Sequence, residues 1–255
     1  MTGNLGNNAF AYCASLKNVE FGKGPARIGS EVFEVSDSLV SFVAGEGVSE
    51  VADNAFKACV YVKNSWGALQ KVIIPRPELK KVVLPNGVQR IGKEAFYQCT
   101  SLSDFAIPQN AVNIGESAFY GCRSLQSVNI PEGTTSIKSY AFSGCSSLKN
   151  ITFPSGLTSV GDRAFYDCAF ENLKLPPVLK TIGEYAFGSC DNLTELHIPS
   201  AVENIGSNAF GSCSKLNDVY TYTVEPTTIT ETTFSTFGTA TLHVPATSFW
   251  NYYWD

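Results

Sequence analysis

Charge is sparse in this sequence. Asp, Glu, Lys and Arg make up 16% of the 255 residues, and their balance is mildly acidic at −5. A basic stripe able to displace counterions from a phosphate backbone is missing, which argues against nucleic acid as a partner. Histidine occurs only twice and methionine once. No C-x-x-C pair is there to seed a zinc site, no G-x-S-x-G elbow accompanies the many serines, and the glycines do not form a phosphate-binding loop. Neither a cofactor nor an enzymatic activity is expected. No apolar run approaches the roughly 18 residues of a membrane span, so membrane insertion is not expected either. The N-terminus, MTGNLGNNAF, lacks the charged and apolar segments of an export signal. Leu5 to Phe10 already reads as the second half of a repeat without its strand, so the chain is expected to be a fragment whose signal lies elsewhere.

What is present is repetition. A phenylalanine, usually preceded by alanine, recurs at Phe10, Phe33, Phe56, Phe96, Phe119, Phe142, Phe165, Phe187 and Phe210, with a degenerate Phe234 after them. The usual step is 23 residues. Phe165 to Phe187 is one residue shorter, the loss falling between Cys168 and Phe170. Phe56 to Phe96 spans 40, and the excess lies at about 60–78, where Leu69, Val72, Ile74 and Pro75 repeat the strand signature before Leu79, Val82, Leu84 and Pro85 repeat it again. This predicts an irregular, shortened coil or bulge at that place.

Within one unit, the alternation of Leu125, Val128 and Ile130 predicts a half-buried strand stopped by Pro131, which cannot donate to a ladder. A polar turn then leads to a second short extended piece ending in Ile-Gly, as at Ile114-Gly115, where glycine suits a positive φ. The following Ala-Phe segment, Glu116 to Cys122 in one copy, is short and predicts one or two helical turns held by packing. Each unit alone would expose its apolar row, and stacking buries it. The expected fold is therefore an α/β repeat solenoid of about 23-residue units over 1–255 as one domain, with parallel β ladders and short helical turns. A C-terminal cap is expected at about 239–255, where TSFWNYYWD begins at Thr247 and atypical aromatic residues would cover an open end.

The skeleton L-x-x-F/V-x-I-P, then V-x-x-I-G-x-x-A-F-x-x-C, resembles the BspA-like, or Treponema-type, leucine-rich repeats of bacterial surface proteins. Eight Ala-Phe pairs, each with Cys three residues after the Phe, carry the resemblance from Leu5 to about Pro245. It implies a right-handed leucine-rich-repeat superhelix, a secreted or cell-surface location, and attachment to a host matrix or cell-surface protein. It implies no shared catalytic residues. The final Val244, Pro245, Tyr252 and Trp254 resemble the family's C-terminal cap.

Candidate chemistry is thin. Cys13, Cys59, Cys99, Cys122, Cys145, Cys168, Cys190 and Cys213 all occupy one repeat position, and Ser36 fills it in another copy, so a buried, reduced ladder is the expected reading. His197 and His243 share a strand position and read as surface residues. Tyr97, Tyr120 and Tyr166 follow the Phe and read as a packing row. The outward strand positions vary while the core does not, as a binding surface would and as any solvated face would. The better candidates lie toward the C-terminal end: Asn172, Lys174, Glu195, His197, Asp218, Tyr220 and Tyr222, which mix both charges with aromatic residues favoured at interfaces. The expectation is a non-enzymatic, monomeric adhesion or protein-binding module acting through that outward face, with glycan a further ligand class. A structural spacer and a glycan-processing module are the alternatives, the latter resting on Glu195 and Asp218 as a carboxylate pair.

Overall fold

The structure, a computed structural model, describes residues 3–222, 233–234 and 240–245, so most of the cap expected at about 239–255, Tyr252 and Trp254 included, lies outside the described residues. It divides into two compact units, Met1–Leu125 and Gln126–Asp255, each built from the same kind of coil. Every regular coil gives a short strand to each of two parallel ladders. In the first unit, Asn18–Glu20, Ser41–Val43 and Lys81–Val83 form one ladder, extended by a bridge from Lys81 to Asp104. The other runs Arg27–Ile28, Glu50–Val51, Arg90–Ile91, Asn113–Ile114. In the second unit, Ser127–Asn129 pairs with Asn150–Thr152, and a separate sheet holds Asn172–Lys174, Glu195–Ile198, Asp218–Thr221 and Thr241–His243. Its other ladder is Ser136–Ile137, Ser159–Val160, Thr181–Ile182, Asn204–Ile205. The pairing register follows the sequence period, so Asn18 faces Ser41, Ser159 faces Thr181 across the short step, and Ser41 faces Lys81 across the long one. Each unit is a parallel β-solenoid with a repeat of about 23 residues.

The three-residue strands other than Asn150–Thr152 and Thr241–His243 bury their central side chain and turn its neighbours outward. Behind them the phenylalanines stack ring over ring. Centroids are 5.0 to 5.6 Å apart from Phe10 through Phe33, Phe56 and Phe96 to Phe119, and 5.3 to 5.6 Å apart from Phe142 through Phe165, Phe187 and Phe210 to Phe234. An offset stack needs only slightly more than the strand spacing of about 4.8 Å, so one period serves both ladder and rings.

The expected helical turns are absent: among the described residues no helix occurs, and the α/β class gives way to an all-β coil closed by turns. The reason lies in the backbone. Residues two before and two after the phenylalanine adopt left-handed φ, as at Glu94 (54°) and Gln98 (54°) or Asn208 (53°) and Ser212 (60°), and a left-handed residue every four positions breaks a right-handed helix. The hydrogen bonds explain the choice. The amides of Asn8, Phe10 and Tyr12 donate to the carbonyls of Ser30, Val32 and Glu34 in the next coil, whereas a helix would spend them on its own carbonyls. A neighbouring coil is always present, and a segment this short gains little from helix formation.

The glycine of Ile-Gly also has a different cause from the positive φ expected of it. Gly115 and Gly206 are not among the left-handed residues. A Cβ on Gly115 would lie 2.5 Å from the carbonyl carbon of Gly92, and one on Gly206 would lie 2.5 Å from the Glu184 amide nitrogen. Adjacent backbones approach too closely there for any side chain.

Where a shortened coil or bulge is expected, Ala58–Lys63 and Leu69–Ile74 form an antiparallel hairpin. Trp66 at its tip is 91% exposed. Two buried polar groups fasten it. Arg76, fully buried, donates from Nε to the Phe56 carbonyl at 2.8 Å, from Nη1 to Ser36 at 2.7 Å and from Nη2 to Phe33 at 2.8 Å. Glu34 accepts from the Tyr61 hydroxyl at 2.8 Å and from the Asn8 amide at 2.7 Å, and it pairs with Lys71 at 2.8 Å.

The cysteine position has a shared role. The thiols of Cys122, Cys168, Cys190 and Cys213 donate to the Phe96, Phe142, Phe165 and Phe187 carbonyls of the preceding coil at 3.2 to 3.4 Å. Ser36 donates likewise to Phe10 at 2.6 Å. The position selects a small side chain that can donate. At Cys59 the hairpin diverts the chain, its thiol turns to Glu34, and the Phe33 carbonyl accepts from Arg76 instead.

Candidate binding face

The site is assembled by register. Parallel pairing places Asn172, Glu195 and Asp218 in one row and Lys174, His197 and Tyr220 in the next, two residues along each strand and therefore on the same face. His243 extends the second row beside Tyr220.

The rings of that row stack. Tyr220 lies between His197 at 4.6 Å and His243 at 4.2 Å, each within 7° of parallel. Hydrogen bonds fix both imidazoles. His197 meets Glu195 through Nε2 at 2.5 Å and the Tyr222 hydroxyl through Nδ1 at 2.7 Å, while His243 meets Asp218 through Nε2 at 2.9 Å. A carboxylate only accepts, so each imidazole carries a proton on Nε2, and the Tyr222 hydroxyl, which can donate or accept, holds His197 Nδ1. Desolvation within the stack, then the carboxylates of Asp218 and Glu195, push the Tyr220 phenol above its ordinary value. It therefore stays protonated at neutral pH.

Beside the ring row lies a groove of about 880 Å³, within the usual range for ligand sites. Asn172, Lys174, Glu195, His197 and Tyr222 line it, whereas Asp218 and Tyr220 flank it. The groove crosses the break between the strand Asn150–Thr152 and the strand Asn172–Lys174, which belong to different sheets. That break coincides with the missing residue near Cys168. The Ala169 amide still bonds the Leu148 carbonyl at 3.0 Å, yet the shortened path denies the next strand its ladder.

Sequence reasoning left several members out of the site. Ser127, Asn129, Asn150 and Thr152 line the groove, outside the more C-terminal set that the sequence favours. Ile151, Leu173 and Leu175 form an apolar floor. His243 lies at the surface as expected but is stacked into the ring row. The 22-residue step was the available signal for the groove; the stacking of His243 had none beyond its shared strand position.

A second, smaller cavity of about 390 Å³ in the first unit is ringed by Glu31, Glu34, Lys57, Lys71 and Glu94. Its charges are mutually paired. Lys71 reaches Glu31 at 2.6 Å and Glu34 at 2.8 Å, and Lys57 pairs with Glu94. Among the described residues no group of three His, Cys, Asp or Glu is placed to hold a metal ion. The Cys99 thiol is pushed up to about 12 by burial, which leaves it a poor ligand or nucleophile.

Comparison with known proteins agrees with this architecture. The chain resembles the crystal structure of a leucine rich cell surface protein from Faecalibacterium prausnitzii A2-165 at 22% identity and a TM-score of 0.52, over 96% of this chain and 77% of that one. A leucine-rich repeat protein from Eubacterium ventriosum ATCC 27560 is 25% identical with a TM-score of 0.54, over 87% and 70%. One from Bacteroides ovatus ATCC 8483 is 19% identical with a TM-score of 0.51, over 90% and 69%. No curated protein matches the chain. The sequence profile of the BspA type leucine rich repeat region matches in six copies, over residues 3–65, 75–168 and 112–241, and leaves out 66–74 at the hairpin tip and second strand. The repeat skeleton, the coil geometry and this match agree, and the chain belongs to the BspA type leucine rich repeat family.

Proposed function

We propose that this chain is a non-enzymatic protein-binding module that works, as a monomer, at the cell surface or outside the cell. Its binding site is the strand face of the second unit, and its partner is a host matrix or cell-surface protein. The observation that carries this reading is the groove of about 880 Å³ bordered by a fixed ring row. A face whose aromatic side chains are already held in place loses little conformational entropy when a partner docks. The carboxylates of Glu195 and Asp218 are each engaged by a histidine, which supports an ordering role for them and not the acid and base of a hydrolase. The family and the similar protein described as a cell surface protein support the location.

The test is binding of the intact chain to immobilised matrix proteins, repeated with the double variant Asn172→Ala and Tyr222→Ala. Both side chains are exposed, so folding is expected to survive, and affinity is expected to fall at least about tenfold. Undiminished binding by the variant would move the site to another surface.

A further inference from the structure

We infer that the groove over the strand break takes an extended peptide segment of a partner protein and seats an acidic side chain of that peptide on Lys174. This inference rests on the reading of the strand face as protein-binding and gives its ligand a chemistry. Charge is the first argument. Of the charged side chains lining the groove, Lys149 lies 3.9 Å from Glu171 and Glu195 lies 2.5 Å from His197. Lys174 has no ion-pair or hydrogen-bond partner among the described residues. An uncommitted ammonium beside an apolar floor gains more from an incoming carboxylate than one already paired.

Hydrogen bonding is the second argument. Asn129, Asn150 and Asn172 present side-chain amides to the groove, and each offers both donors and an acceptor, the pair that a peptide backbone requires. Their neighbour Ile151, half-buried, offers aliphatic surface for a peptide side chain, with Leu173 and Leu175 buried beside it. Dimensions agree. From the strand of Ser127 to that of Asp218 there are three paired strand spacings of about 4.8 Å and the unpaired step at the break, together at least about 19 Å, the reach of about six extended residues. A sugar would instead seek an open aromatic face, whereas both faces of Tyr220 are covered, by His197 and His243, and the groove's own ring, Tyr222, has one face against His197. Peptide is therefore favoured over glycan.

The experiment is an array of acetylated hexapeptides carrying zero to three Asp or Glu, probed with the intact chain and with its Lys174→Gln variant. Retention should rise with the number of carboxylates. For the strongest acidic peptide, Kd measured by fluorescence polarisation should weaken about tenfold in the variant, and about tenfold when the peptide's own Glu is replaced by Gln. Equal binding of the Gln peptide, an unaffected variant, or no retention at all would overturn the inference, as would retention confined to a sulfated or sialylated oligosaccharide run alongside. If peptides fail while a matrix protein still binds and loses affinity in the Asn172 and Tyr222 double variant, the peptide inference falls and the assignment of the face stands. If matrix protein binding ignores that double variant, the assignment of the face falls.

Discussion

Replacing Arg76 should damage the first unit more than any surface change. Its guanidinium is wholly buried and donates to three carbonyls at 2.7 to 2.8 Å. Two of those carbonyls keep another donor when it is lost: Phe33 accepts from the Ser36 amide at 3.1 Å, and Phe56 weakly from the Cys99 thiol at 3.8 Å. The Ser36 carbonyl keeps none among the described hydrogen bonds. One orphaned carbonyl costs about 1–3 kcal/mol, and two forfeited bonds to a charged group add about 1.5–3 kcal/mol each. Relief of the buried charge opposes this by several kcal/mol, since burial already pulls the guanidinium below its ordinary value. The remainder for Arg76→Met, which keeps most of the volume, is about 2–4 kcal/mol. Arg76→Ala should lose more, because a cavity remains. Urea unfolding followed by circular dichroism would give the midpoint shift. Hydrogen exchange would locate it, with faster exchange at residues 33–37 and 56–76 and little change beyond 126, because a repeat fold is stabilised by nearest neighbours. An unchanged midpoint in Arg76→Met would refute the assignment of the guanidinium as the anchor of the hairpin.

The ion pair beneath the hairpin should be acid-sensitive. Burial raises the Glu34 carboxyl, but hydrogen bonds from Lys71, Tyr61 and Cys59 outweigh it and hold the group below its ordinary 4.5. A carboxyl depressed in the folded state lends stability above its unfolded value and loses it as pH falls through the folded one. Exchange protection of residues 58–74 should therefore drop below about pH 4.5, and Glu34→Gln should flatten that dependence at the cost of lower protection at pH 7. Glycine in the coils divides by position. Gly206→Ala, whose Cβ would meet Glu184 nitrogen at 2.5 Å, should cost about 1–3 kcal/mol in denaturant titration, while Gly156→Ala, with nothing within 4 Å, should stay within about 0.5 kcal/mol.

The sequence by itself determined the solenoid, its period and its inward faces. Phe, Ile, Leu, Val, Ala and Cys recur at fixed spacing because every coil must bury the same row against the next, and a one-dimensional stack writes its packing directly into the chain. It also marked the two irregular places, residues 60–78 and the short step after Cys168, since a change of step has no other outlet. The tertiary structure alone decided what those irregularities become. Whether extra residues make a coil or a hairpin depends on partners far away in sequence, here the carbonyls of Phe33 and Ser36 for Arg76 and the carboxylate of Glu34 for Lys71. Helix or turn at Ala-Phe was likewise settled by which carbonyl each amide finds, and the next coil supplies it. Five of the seven residues expected at the binding face line one groove, because outward positions follow from alternation. The ring row of His197, Tyr220 and His243 and the Lys174 ammonium, unpaired among the described residues, depend on how side chains from different coils meet, and no single repeat contains that information.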